Sequence, residues 1–242
     1  MMSGEAGAPI MTEQKARTAR HAVVTGASSG IGQAIVARLL DEGWRVTGIC
    51  RRQPEQARER LDIVLADVTD EARLVEVCKA IGEVDAVIHA AGFMRTAPLG
   101  ELSHDDGAAM WQVHVRAAEV LANQLVHRMR DGGRIVLVGS RTANGAPNRS
   151  QYAATKAALV GMVRSWAAEL APRGITANVI APGATDTPFL RDPARAHTPP
   201  KLPPLGRFVT AEEVAALAAF LVGDHGGAIT GQQIVMCGGA SL

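Results

Sequence analysis

From His21 onward the chain repeats one unit: a short apolar run, a turn rich in Gly, Ser or Asn, then a longer stretch with helical spacing. The runs are HAVVTG, WRVTGIC, DIVLAD, DAVIHAAG, GRIVLVGS, ITANVIAPG and, last, QQIVMCGG, with a helix predicted from Gly30 to Glu42 after the first. Runs made almost wholly of Val, Ile, Leu and Ala are buried on both faces, which is the condition of a parallel strand covered by helices above and below. The repeat therefore predicts an α/β fold: one doubly wound parallel sheet with helices on both faces.

No linker interrupts the rhythm, so residues 21–242 are expected to form a single domain of the 242-residue chain. Residues 1–20 carry Glu5, Glu13, Lys15, Arg17 and Arg20 without a continuous apolar stretch, and read as a flexible tail rather than a signal peptide or anchor. Residues 184–207 break the rhythm. Their run HTPPKLPPLG cannot continue a helix or a central strand. Following a strand's C-terminal end, they lie where open α/β sheets bind ligands, and are expected to form a substrate lid. With 25 Lys plus Arg against 24 Asp plus Glu, the balance points away from nucleic acid and membrane partners and towards a small molecule. Cys50, Cys78 and Cys237 have no metal or disulfide spacing, which suits a reduced, cytoplasmic setting with no metal site.

The first turn, TGASSGIG, places Gly26, Gly30 and Gly32 around Ser28, Ser29 and Ile31, between a buried strand and a helix. Glycines there permit a tight turn and close approach of the main chain to a phosphate, and the helix N-terminus offers unpaired N–H groups. The lysine of a Walker loop is missing, so a dinucleotide is expected rather than a nucleoside triphosphate. At the end of the second strand, an acid would hold the ribose of NAD and an arginine the 2′-phosphate of NADP. Cys50 stands there, followed by Arg51 and Arg52. NADP(H) is favoured, with NAD(H) the alternative if the arginines are ordinary solvated charges. Asp67, beside Val68, is the expected partner of the adenine amino group.

The chain's one tyrosine, Tyr152, stands four positions before Lys156 in QYAATK. On a helix the two share a face. An ammonium beside a phenol favours the phenolate and lowers its pKa, making Tyr152 a candidate acid and base.

Taken together, TGASSGIG, LADVTD, HAAG, Ser140 ahead of YAATK, and APGATDTP resemble in order and spacing the short-chain dehydrogenase/reductase family, over roughly His21 to Leu242. The resemblance implies a Rossmann-like fold and a ketoreductase-type transfer of hydride between nicotinamide and a carbonyl or secondary alcohol. By that resemblance Tyr152 moves the proton, Ser140 holds the substrate oxygen, and Lys156 tunes the phenol and binds the nicotinamide ribose. Ala90, Ala91 and Gly92 let the cofactor pass. Pro182, Gly183, Ala184, Thr185 and Thr187 pack on the nicotinamide, whereas Asn178 is expected to be a structural amide. The family's usual assembly implies a homo-oligomer, a dimer or tetramer, built on the Ala-rich helix Ser150–Leu170.

Two positions depart from the family pattern. HAAG stands in place of Asn-Asn-Ala-Gly, and His114, expected to open a helix running to Met129, takes the place of an asparagine that anchors a water in the proton path. An imidazole could hold that water and add a pH dependence near 6.5. Three readings of His114 compete: a working substitute, a slower or differently tuned enzyme, or a chain that keeps the cofactor site as an NADP(H)-binding regulator. Among enzymes, an NAD-dependent alcohol dehydrogenase is the alternative to an NADP-dependent reductase. Arg141 and Arg149 either meet an acidic substrate or face solvent.

Overall fold

Every residue of the first strand, β1 (His21–Thr25), is buried, and its side chains alternate between two cores: Ala22 and Val24 enter one, Val23 the other. That alternation recurs along the sheet and is why the apolar runs are continuous. The computed structural model describes residues 19–54, 57–192 and 198–242.

The remaining strands are β2 (Arg45–Cys50), β3 (Leu61–Leu65), β4 (Val84–His89), β5 (Met129–Val138), β6 (Thr176–Pro182), β7 (Thr185–Asp186), β8 (Val209–Thr210) and β9 (Gln233–Met236). With β1, six of them form one parallel sheet in the order β3-β2-β1-β4-β5-β6-β9. The helices are α1 (Gly30–Asp41), α2 (Glu71–Ala80), α3 (His104–Trp111), α4 (Ala117–Leu125), α5 (Ser150–Leu170) and α6 (Ala211–Val222). On one face Ile35 and Leu39 of α1 pack with Val214, Ala218 and Leu221 of α6. On the other, Leu74 and Val77 of α2 join Leu121 and Leu125 of α4 and Leu159 and Val163 of α5. Burying each such side chain contributes roughly 1.5–3 kcal/mol. The result is the doubly wound, single-domain sheet the repeat predicts.

The topology fixes where a ligand binds. The chain leaves β1 outward to β2 and β3, then returns to lay β4 on the other side of β1. The C-terminal ends of β1 and β4 therefore border the crevice at which the strand order reverses.

Two features differ from expectation. The helix expected from His114 to Met129 is divided: Gln112–Arg116 is a π turn, α4 follows, a 3₁₀ turn covers Val126–Arg128, and Met129 opens β5. The irregular stretch after β6 contains β7, which pairs in parallel with β8 as Thr185↔Val209 and Asp186↔Thr210. This pairing ties the start of the expected lid to the N-terminus of α6, where Thr210 and Glu213 form a reciprocal capping box. Of the lid, residues 193–197 lie outside the described residues, as does the expected tail up to residue 18. Asn178 is an internal tie: its amide donates to the Ile229 carbonyl at 2.6 Å and accepts from the Gln232 N–H at 3.1 Å. Among the described residues no helix is long and apolar enough to cross a membrane.

Candidate active site

The turn after β1 is closed so tightly that side chains are excluded at Gly26 and Gly32. Gly26 adopts φ +69°, and a Cβ there would stand 2.9 Å from the Ala91 nitrogen. A Cβ on Gly32 would stand 2.2 Å from the Gly26 carbonyl oxygen. The main chain of Ala90 and Ala91 is held against this turn by Thr25, whose hydroxyl accepts their N–H groups at 3.1 and 3.2 Å. Ser29 caps α1 in extended conformation without a side-chain hydrogen bond, leaving the first-turn N–H groups to a ligand.

From this turn a cleft of about 1080 Å³ extends in two directions. Ser28, Ile31, Arg51, Arg52, Asp67 and Val68 line one end; Ser140, Tyr152, Lys156 and the segment Pro182–Thr187 line the other. All the residues expected to bind cofactor thus meet in one continuous space. At the first end Arg51 and Arg52 directly follow β2: the Cys50 thiol donates to the Arg52 carbonyl, and the Arg51 guanidinium, 75% exposed, lies 3.9 Å from Asp67. Burial pushes the Asp67 carboxyl up. The N–H and hydroxyl of Thr69, both donating to Oδ1, and Arg51 outweigh that and hold it below the usual carboxylate range. At the other end Gly183 passes against Cys237, where a Cβ would stand 2.9 Å from Cα, and Thr185 and Thr187 are both buried.

Tyr152 sits in the first turn of α5 and is 7% exposed. One turn later Lys156 is buried, its Nζ donating to the Val138 carbonyl at 2.9 Å and lying 5.8 Å from the Tyr152 ring centroid. Burial disfavours the ammonium and draws the Lys156 pKa down to about 7. Ser140, just beyond β5, turns its hydroxyl to accept the Thr142 N–H at 3.1 Å, which holds the oxygen on the cleft wall. Ser140, Tyr152 and Lys156 thus line the same cleft.

His114 behaves differently from expectation. Thr155 donates its hydroxyl proton to the Tyr152 carbonyl at 2.8 Å, so the 2.8 Å contact between His114 Nδ1 and Thr155 Oγ1 requires a proton on Nδ1. The Phe93 N–H donates to Nε2 at 3.2 Å, so Nε2 carries none. The ring is a neutral imidazole with a protein partner on each nitrogen. Burial, with Lys156 and His89 adding repulsion, holds its pKa well below 6.5. A titration of His114 near neutrality is thereby corrected: the group that titrates there is Lys156. The imidazole instead sits edge-on to the Tyr152 ring, centroids 5.5 Å apart, and fills the space beside Gly92, where a Cβ would stand 3.1 Å from Nε2.

His89 completes this wall. Its Nδ1 accepts from the Thr25 hydroxyl at 2.8 Å and its Nε2–H donates to the Val113 carbonyl, within the π turn, at 2.9 Å. Burial, with Lys156 adding repulsion, takes its pKa down to about 3. The family's amides are thus replaced by an imidazole that makes side-chain bonds of its own. Sequence reasoning passed over Thr25, His89 and Thr155 as working parts; the signal available was a hydroxyl or imidazole inside an otherwise apolar run.

Comparison with known proteins agrees with this architecture. A family profile described as Enoyl-(Acyl carrier protein) reductase matches residues 26–241. The chain is 34% identical over 236 residues to the 3-oxoacyl-acyl-carrier-protein reductase FabG of Thermotoga maritima, covering 90% of this chain and 96% of that one. It is 29% identical over 236 residues to the rat dehydrogenase/reductase SDR family member 6, covering 91% and 96%. Among solved structures, a short chain dehydrogenase from Burkholderia cenocepacia in complex with NADP superposes with TM-score 0.81 at 35% identity, over 92% of this chain and 98% of that one. The chain belongs to the short-chain dehydrogenase/reductase family and is an NAD(P)-dependent oxidoreductase.

Proposed function

We propose that this protein is an NADP(H)-dependent carbonyl reductase in which Tyr152 is the proton donor. The observation that carries the reading is the buried Tyr152–Lys156 pair, 5.8 Å from ring centroid to Nζ, on the floor of a cleft that continues to the glycine turn. When bound, the dinucleotide supplies the hydride that adds to a carbonyl carbon. Gly26, Ser28, Ser29, Gly30, Ile31 and Gly32 would cradle its pyrophosphate, in a turn with no room for a side chain at Gly26 or Gly32. Arg51 and Arg52 would meet the 2′-phosphate, Asp67 and Val68 the adenine, and Ala90, Ala91, Gly92, Pro182, Gly183, Thr185 and Thr187 the nicotinamide end.

Tyr152 gives its proton to the carbonyl oxygen as negative charge develops there, and Ser140 holds the same oxygen. The Lys156 ammonium stabilises the resulting phenolate; one N–H is spent on Val138 and two remain for a ribose diol. His114 is a positioning residue, fixing the first turn of α5 through Thr155 and the Tyr152 carbonyl. The names of relatives that reduce 3-oxoacyl groups, and of neighbours solved with NADP or NADPH, support this direction and cofactor. The enzyme is further proposed to be cytoplasmic and to assemble as a dimer or tetramer.

The test is NADPH oxidation with ketones, quinones and β-keto thioesters, beside Tyr152→Phe. Turnover in the native protein and a loss of at least about 100-fold in the variant, with NADPH affinity kept, is the expected result. Equal turnover in both would remove Tyr152 from the mechanism. NADPH binding without oxidation of any compound would favour the cofactor-binding regulator.

A further inference from the structure

Arg141 and Arg149 stand on the substrate side of the cleft, the first directly after Ser140, the second directly before α5 and three residues ahead of Tyr152. Most arginines of the described surface have a carboxylate partner. Arg95, on the same cleft, is shared between Asp106 at 3.9 Å and Asp192 at 3.7 Å. Neither Arg141 nor Arg149 forms an ion pair among the described residues. Arg141 gives one N–H to the Ala240 carbonyl at 3.1 Å. Arg149 is the more exceptional: its Nε is shut away from water with no hydrogen-bond acceptor among the described residues. Burial and the neighbouring Arg141 draw its pKa below the ordinary arginine range, opposed by Tyr152, and no carboxylate contributes.

A charged donor kept from water without an acceptor is costly, and a like charge beside it adds repulsion. Both costs disappear when an anion enters. The planar fork of a guanidinium suits a carboxylate, which it can take in two parallel hydrogen bonds. Ser140 and Tyr152, which receive the carbonyl oxygen, are the near neighbours of these two arginines along the chain.

We propose that Arg149 and Arg141 hold a carboxylate of the substrate, so that the cleft selects a short keto acid over the neutral ketone or ester of the same skeleton. The proposal deepens the reductase reading and rests on it for the place of the carbonyl. The carboxylate keeps its charge throughout; the carbonyl alone gains a hydride and the Tyr152 proton.

The experiment compares acetoacetate with methyl acetoacetate, two β-keto compounds that differ in the charge. Two readouts are taken on the full chain with NADPH. One is kcat/KM from NADPH oxidation; the other is Kd from NADPH fluorescence in the Tyr152→Phe protein, which needs no turnover. A preference for the acid of about 10–100-fold in both is expected, the range for a hydrogen-bonded charge. Arg149→Gln should bring the acid-to-ester ratio near unity, and Arg149→Lys should restore part of it. Equal handling of acid and ester by the native cleft overturns the anion site, whatever the variants do. An Arg149→Gln protein that weakens both compounds alike also overturns it. Charge preference in the binding assay without NADPH oxidation by the native enzyme would leave the anion site standing and remove the reductase reading.

Discussion

Unfolding the ligand-free protein with guanidinium chloride between about pH 8 and about pH 10 is expected to expose the state of Lys156. In the folded chain its pKa is about 7; in the unfolded chain it returns to 10.5. Between those values the unfolded chain holds a proton that the native chain has lost, so stability rises with pH. The slope approaches about 1.4 kcal/mol per pH unit, and over that interval the gain comes to roughly 2 kcal/mol once partial titration is allowed for. Below about pH 7 both states are protonated and the penalty of burying the ammonium is fully present; above about pH 10.5 both are neutral and it is gone. The comparison protein is Lys156→Met, which has no proton to lose, so that shifts elsewhere in the chain cancel. The difference in unfolding free energy, native minus variant, should grow by roughly 2 kcal/mol across the interval. Parallel curves would refute the argument, because they would mean that Lys156 is an ammonium in the folded protein. Native Lys156 tolerates neutrality because an amine still donates to the Val138 carbonyl. An anionic ligand in the cleft should raise its pKa again and restore the ammonium.

Two further outcomes follow from the site. Replacing Arg51 and Arg52 by glutamate should reverse cofactor preference, lowering kcat/KM with NADPH by at least about tenfold relative to NADH, because both guanidiniums line the cleft directly after β2 and Arg51 lies 3.9 Å from Asp67; an unchanged ratio would show that they are solvated charges. His114→Asn should leave the pH profile between about 6 and 9 in place, since the imidazole is neutral throughout, while the loss of the Thr155 and Phe93 bonds lowers stability by about 1–3 kcal/mol. A displacement of the acid limb by more than about one unit in a kcat/KM profile would contradict the assigned tautomer.

The sheet and the glycine turn were legible because each depends on residues close in sequence. Strands buried on both faces must be continuously apolar, and a turn with φ +69° at Gly26 must be glycine, so HAVVTG reads almost to the residue. The helix Ser150–Leu170 was equally plain, and with it the Tyr152–Lys156 spacing. The π turn at Gln112–Arg116 was not: one extra residue in a helix leaves the apolar pattern on either side nearly unchanged, and the carbonyl of Val113 is taken up by His89 from another element. The protonation state of His114 depends on Phe93 and Thr155, 21 and 41 residues away, which local pattern cannot supply. The same holds for Arg149, whose buried Nε, without an acceptor among the described residues, is a property of the folded cleft alone.

The contact between Arg141 and the Ala240 carbonyl gives the cleft a particular history. A chain emerging in order from the ribosome has β1 to β6, Ser140, Tyr152 and Lys156 in hand while β9 and Ala240 are still to come. Ser140, Tyr152 and Lys156 are therefore in place early, but Arg141 is anchored only after residues 233–236 add the outer strand to β6. Fusions or deletions near Ala240 should accordingly loosen Arg141 while leaving the glycine turn after β1 untouched, separating effects on the two ends of the cleft along the direction of synthesis.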